Sequence, residues 1–137
     1  MIKSILFTEQ PIAIPPISLP DREIGACLEF HGIVRVMEQN DVLQGLQYEA
    51  YQPMATRLLE RIFDELNTAH PCAETLFIHR LGWVPVGEAS LFLRILASHR
   101  GEALQFCAKA IDRMKAEVPI WKASLARPAG PITEIAS

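Results

Sequence analysis

Charge of one sign is not in excess in this chain of 137 residues: 13 Lys and Arg stand against 16 Asp and Glu, a net of −3. That balance argues against a general nucleic-acid binder and leaves room only for a local basic pocket. No apolar run approaches the ~20 residues needed to span a membrane. The apolar run at the N-terminus is too short for a signal peptide and reads as a strand. Cysteine is scarce and odd in number: Cys27, Cys72 and Cys107 form no Cys-x-x-Cys pair. The simplest reading is reduced thiols in a cytoplasmic protein. Cys107 falls on the buried face of a predicted helix, Cys27 in a strand, and Cys72 in a loop with no evident activating base. Among His31, His70, His79 and His99, only His70-Pro71-Cys72 has tight ligand-like spacing. Common zinc sites need two such pairs, so no metal and no cofactor is expected. There is no phosphate-cradling glycine loop, and Ser98-His99 lacks the turn signals of a serine hydrolase.

What remains is ordinary material for a globular domain. Half the residues are apolar and 21% are charged, and the length suits one domain with a core of its own. Ile2 to Thr8 reads as a first strand. Residues 11 to 20 hold Pro11, Pro15, Pro16 and Pro20, which makes an extended connector rather than a helix. Gly25 to Val36 reads as a long strand with Ala26, Leu28, Phe30, Gly32 and Val34 on one face. Gly32 in its middle marks a bulge or a close backbone approach. After a polar turn over Met37 to Asp41, Val42 to Ala50 is expected to return as the partner of that strand.

Pro53 opens a helix at a position where proline is tolerated, with Met54, Leu58, Leu59, Ile62, Phe63 and Leu66 as its buried stripe; Asn67 to Pro71 stops it. Thr75 to His79 reads as a short strand, Leu81 to Gly87 as a turn region anchored by Trp83, and Glu88 to Ala97 as an alternating strand. Strand pairs alternating with single helices predict an α+β domain with a mostly antiparallel sheet and two main helices. One domain over residues 1–122 is expected, with 123–137 as a loosely held C-terminal tail.

The stretch from Ser98 to Lys122 stands apart. Leu104, Cys107, Ala108, Ile111, Met114 and Val118 recur at three- and four-residue steps, which predicts an amphipathic helix ended by Pro119. Basic groups sit at both ends. His99 and Arg100 lie at the positive end of the helix dipole, where an anion offsets their cost. Lys115 borders the apolar stripe, where partial desolvation suits a lysine to proton transfer. Sixteen residues separate His99 from Lys115, about 24 Å along a helix. If both ends serve one site, they must come from two copies of the chain in a two-fold dimer. The plain alternative is two unrelated basic ends on a solvated helix. Arg35 has the plain alternative of a strand-end arginine reaching solvent, His79-Arg80 that of a strand terminus with an ion pair, and Lys122 that of a solvated neighbour of Trp121. The residues by themselves reach an α+β domain with a possible anion site.

Several segments, in order, carry a resemblance: Gly25-Ala26, Phe30-His31-Gly32-Ile33-Val34-Arg35, Leu46 to Tyr51, Met54-Ala55, His79 to Gly82, Val86-Gly87-Glu88, Ser98-His99-Arg100, and Lys115 with Val118 to Lys122. Together, over Ile5 to Lys122, they resemble the large, catalytic subunit of molybdopterin synthase. The resemblance implies a hammerhead-type α/β fold with a small extra β subdomain. It also implies a central homodimer with a small ubiquitin-like subunit docked at each end. That partner carries a C-terminal Gly-Gly thiocarboxylate, and sulfur passes from it to cyclic pyranopterin monophosphate to form the molybdopterin dithiolene. Carried over by position, the substrate-binding residues are Ile33, Val34, Arg35, His99, Arg100, Lys115 and Lys122, with Lys115 and Lys122 as the catalytic pair. The family sets the histidine–arginine pair in the neighbouring protomer's pocket, in keeping with the helix-length condition. One departure stands out. After the tryptophan–lysine pair the family usually has a basic residue and a glutamate, where this chain has Ala123 and Ser124. That departure motivates a second expectation, a non-catalytic or weakened homologue acting as a dimeric scaffold for the small subunit.

Overall fold

The computed structural model describes residues 1–38 and 41–124. Within them the chain forms β1 (Ile2–Thr8), β2 (Ala26–Ile33), β3 (Met37–Glu38), β4 (Asp41–Val42), β5 (Gly45–Ala50) and α1 (Gln52–Ala69). It continues through β6 (Glu74–Arg80), β7 (Gly82–Pro85), β8 (Ala89–Ala97), α2 (Arg100–Glu117) and β9 (Ile120–Ser124). Four strands make a main sheet in the order β1-β6-β8-β2, three make a second sheet in the order β7-β5-β9, and β3 pairs with β4. Only β1 with β6 is parallel among these pairings. The expected α+β architecture, two helices on a mostly antiparallel sheet with a small β subdomain, is what the chain adopts.

Both helices cover one face of the main sheet because their apolar stripes match it. Phe63 of α1 stands between Phe106 of α2 and Phe77 of β6, with ring centroids 5.7 Å and 6.2 Å away. Leu91, Leu93, Ile95 and Ala97 of β8 complete this core. The opposite face of β8 is covered as well. Arg94 is buried there, donating to Glu29 Oε2 at 2.8 Å and to the Pro15 carbonyl at 2.7 Å. The proline-rich connector thus lies over the sheet and helps satisfy a charge that would be costly to bury alone.

Several expectations need correction. Val42 to Ala50 does not return along Gly25 to Val36. β2 pairs with β8 instead, and β5 lies between β7 and β9. The cause is a second small core, Val34, Leu43, Leu46 and Val84. It draws the chain off the main sheet at the register shift between Gly32 and Ile33, so β2 ends at Ile33 rather than Val36. Leu81 to Gly87 is not merely a turn: Gly82 and Gly87 have φ of 80° and 89°, but the residues between them form β7. Gly45 opposite it has no room for a side chain, since a Cβ would sit 2.5 Å from the Val84 carbonyl oxygen.

The buried stripe of α2 is Ala103, Phe106, Cys107, Ala110 and Met114, turned from the expected one. Leu104 is 53% exposed and Ala108 is exposed too. Phe106, the largest apolar side chain on the helix, decides the rotation by filling the gap beside Phe63. In α1 the same correction is smaller: Ala55 is buried and Met54 is exposed. At the C-terminal end β9 runs to Ser124, which pairs with Gln47. Of the tail expected over 123–137, residues 125–137 lie outside the described residues.

Candidate active site

Between the main sheet, the small sheet and the end of α2 lies a cavity of about 520 Å³, within the usual range for small-molecule sites. Its deep walls are buried: Val34, Leu91, Met114 and His79 are each under 7% exposed. Its mouth carries the cations. Arg35 follows the end of β2, Lys115 sits in the last turn of α2, and Lys122 lies on β9 directly across the ladder from Tyr48 of β5. All three are exposed. Among the described residues that line it none is an aspartate or glutamate, and three cations at the mouth favour an anionic ligand.

Local folding explains these positions. The register shift that releases the chain after Gly32 brings Ile33, Val34 and Arg35 round the cavity edge. Val118 ends α2 in extended conformation, its N–H donating to the Met114 carbonyl at 3.1 Å. Pro119 follows, and the chain turns straight into β9. Lys115 and Lys122 therefore reach one cavity from a helix end and from the strand after it. The partial burial expected for Lys115 is absent: its side chain stands in solvent at the mouth.

His99 and Arg100 are not in this cavity. They lie at the other end of α2, in a separate open concavity of about 510 Å³ with Gly25, Ser98, Gly101 and Leu104. His99 is the N-cap residue in extended conformation, and its side chain makes no capping bond. One chain therefore assembles five of the seven expected substrate-binding residues (Ile33, Val34, Arg35, Lys115 and Lys122) and holds the remaining two a helix length away.

Among the cavity residues that were not expected from the sequence are His79 and Tyr48. Their rings meet edge to face, with centroids 5.1 Å apart. His79 Nδ1 lies 2.8 Å from the Arg80 carbonyl oxygen, so that nitrogen carries the proton. Burial pushes the imidazole pKa down to about 4, the backbone bond offsetting part of the effect, and the ring is neutral near pH 7. A signal existed: alternation along Glu74 to Arg80 sets His79 on the face of Thr75 and Phe77, the core face. The expected ion pair at this strand end is present, with Arg80 Nη1 2.7 Å from Glu88 Oε1. As for other chemistry, burial pushes the Cys72 thiol up to about 12 and raises that of Cys107. Among the described residues no group of three or more His, Cys, Asp or Glu is placed to hold a metal, and no helix is long and apolar enough to cross a membrane.

The MoaE protein family model matches residues 7–117. The chain belongs to the MoaE family. Several family proteins have curated names: one from Oryza sativa subsp. indica, named molybdopterin synthase catalytic subunit, is 43% identical over 102 residues, 74% of this chain and 53% of that protein. The chain thus spans about half the length of that relative. A crystal structure of molybdopterin synthase from Staphylococcus aureus superposes with a TM-score of 0.77 at 30% identity, covering 90% of this chain and 91% of that one. A complex of subunits 1 and 2 of molybdopterin-converting factor from Helicobacter pylori contains a chain with TM-score 0.64 at 28% identity, covering 78% and 70%. The MoaE match includes Arg35, His99, Arg100 and Lys115 and stops before Lys122, which the β5–β9 pairing brings to the cavity independently.

Proposed function

We propose that this MoaE family chain is the catalytic subunit of a molybdopterin synthase acting in the cytoplasm. It transfers sulfur from the C-terminal glycine thiocarboxylate of a small ubiquitin-like partner to cyclic pyranopterin monophosphate, and two transfers build the dithiolene. The observation that carries this reading is the convergence of Arg35, Lys115 and Lys122, from three separate elements, on a cavity whose described lining residues include no carboxylate. Both reactants are anions, a phosphate ester and a thiocarboxylate, and both gain from that field. The name of the Helicobacter pylori complex, a pairing of two subunits, supports a small-subunit partner.

In this reading Arg35 holds the phosphate, the role to which a planar guanidinium is best matched. Lys115 lies nearest the thiocarboxylate carbonyl and the carbon being sulfurated. It assists by charge on the oxygen that gains electron density or by proton transfer. Lys122 assists proton transfer and orientation. His99 and Arg100 enter from a second copy of the chain, since a continuous α2 keeps them from their own Lys115. The chain is then a homodimer whose two sites each draw on both protomers.

The deciding experiment mixes the protein with a thiocarboxylated small partner and cyclic pyranopterin monophosphate and measures dithiolene formation. Product is expected, and Lys115→Ala should remove it while leaving the thermal transition in place; near-normal turnover in that variant would take Lys115 out of the mechanism. Ala123 and Ser124, in place of the family's usual basic residue and glutamate, favour one second reading, a scaffold that binds the small partner without turnover. Tight partner binding with no product would select it.

A further inference from the structure

Deep in the cavity, beneath the cationic mouth, lies a hydrogen-bonding group that the sulfur-transfer reading does not use. His79 is 4% exposed and lines the cavity. Its Nδ1 proton is committed to the Arg80 carbonyl, because a carbonyl oxygen can only accept. Nε2 is therefore left with a lone pair and no proton. No partner for Nε2 exists among the described residues. Nor does it belong to the buried polar atoms sealed from solvent without a partner, which among those residues are Thr75 Oγ1 and Arg80 Nε. The residue itself borders the cavity. The ring cannot easily turn away, since Tyr48 abuts it edge to face at 5.1 Å and Phe77 lies 6.2 Å off on β6.

We propose that His79 is a specificity-determining residue of this pocket, its Nε2 accepting a hydrogen bond from one ring or exocyclic N–H of the pterin heterocycle. The proposal rests on the sulfur-transfer reading for the identity of the ligand. The surroundings favour the heterocycle over the partner's peptide tail. Leu91, Met114 and Phe30 give apolar walls beside the Tyr48 ring, which suit the faces of a flat fused ring. The charged phosphate stays at the mouth with Arg35, Lys115 and Lys122. An acceptor fixed in a buried wall rejects a ligand that turns a lone pair toward it or lacks the N–H, because the mismatch strands a polar atom away from water. Low proton affinity keeps the acceptor available throughout the neutral range.

The test uses the complete complex with its small partner and cyclic pyranopterin monophosphate. Calorimetric titration and steady-state kinetics compare wild type with His79→Phe, which keeps a ring and loses the acceptor, and with His79→Gln, whose amide can offer an acceptor near Nε2. The Phe variant should bind the pterin about tenfold more weakly and raise KM more than it lowers kcat, while Gln recovers most of the loss. A Phe variant that binds like wild type, or Gln and Phe variants equally impaired, overturns the proposal. Should the Phe variant fail to fold, ¹⁵N NMR of wild type decides. The Nε2 resonance, in the unprotonated range without ligand, should move upfield on pterin addition, and an unmoved resonance overturns the assignment. Wild-type dithiolene formation is read separately: its presence with a silent His79 sinks this inference alone, whereas a complex that neither binds nor converts the pterin sinks both.

Discussion

Histidine at position 79 has a cost that can be measured without any ligand. Its pKa is pushed to about 4 by burial, against an ordinary value near 6.5 in the unfolded chain. Between those two values the unfolded state takes up a proton that the folded state refuses, so stability falls as pH falls through this window and the loss is complete below about 4. The size is on the order of 3 kcal/mol. Urea unfolding at pH 7 and at pH 4.5 should show a clear drop for wild type and a smaller one for His79→Phe. Glu29 acts the same way lower down. The Arg94 hydrogen bond holds its carboxyl below the ordinary value, so its contribution is intact above pH 4.5 and lost beneath it. The thiols offer a second check at this scale. Cys72 and Cys107 are buried with raised pKa values, and Cys27 is exposed. A thiol reagent should find one group in the native protein and three in urea, and faster labelling of Cys72 than of Cys27 would contradict the burial.

For the elements, α2 is the informative case. Its span was legible: the apolar recurrence, the basic residue in the last turn and Pro119 set both ends. The angle at which it faces the sheet was not, because Leu104, Cys107, Ala108 and Ile111 form as regular a stripe as Ala103, Phe106, Cys107 and Ala110. Periodicity gives a helix's spacing, and only the shape of the opposing surface chooses between neighbouring rotations. Phe106→Ala should cost about 3–5 kcal/mol by leaving a cavity beside Phe63, whereas Leu104→Ser should stay within about 0.5 kcal/mol. Chemical denaturation of both variants checks the assignment, and a large loss at Leu104 would restore the expected stripe. Strand pairing had the same ambiguity. Gly25 to Val36 and Val42 to Ala50 are close in sequence and look like a hairpin, but Leu46 and Val84 have each other to pack against, so β5 leaves for a second sheet.

The molecule as a whole carries the question of which chains complete the site. Lys115 and His99 sit at opposite ends of one helix, and within a single chain they serve different concavities. If each site draws on two protomers, Lys115→Ala and His99→Ala homodimers are both inactive. Their mixed dimer then has one site with both defects and one intact. Co-refolding equal amounts should recover about a quarter of wild-type turnover, since half the dimers are mixed and each has one good site of two. No recovery, with mixed dimers verified by mass spectrometry, would show that the two residues do not act across protomers.

Composition, periodicity and ordered motifs by themselves determined the class of fold, the extent of both helices and an irregularity at Gly32, because those properties depend on local spacing and on chemistry each residue brings with it. Tertiary structure gave Arg35, Lys115 and Lys122 their common cavity within one chain, with His99 and Arg100 in another concavity, and it alone decided that a neutral histidine stands behind them. Those outcomes depend on which surfaces meet, and a chain's spacing leaves several such meetings open until packing of Phe106, Leu46 and Val84 excludes all but one.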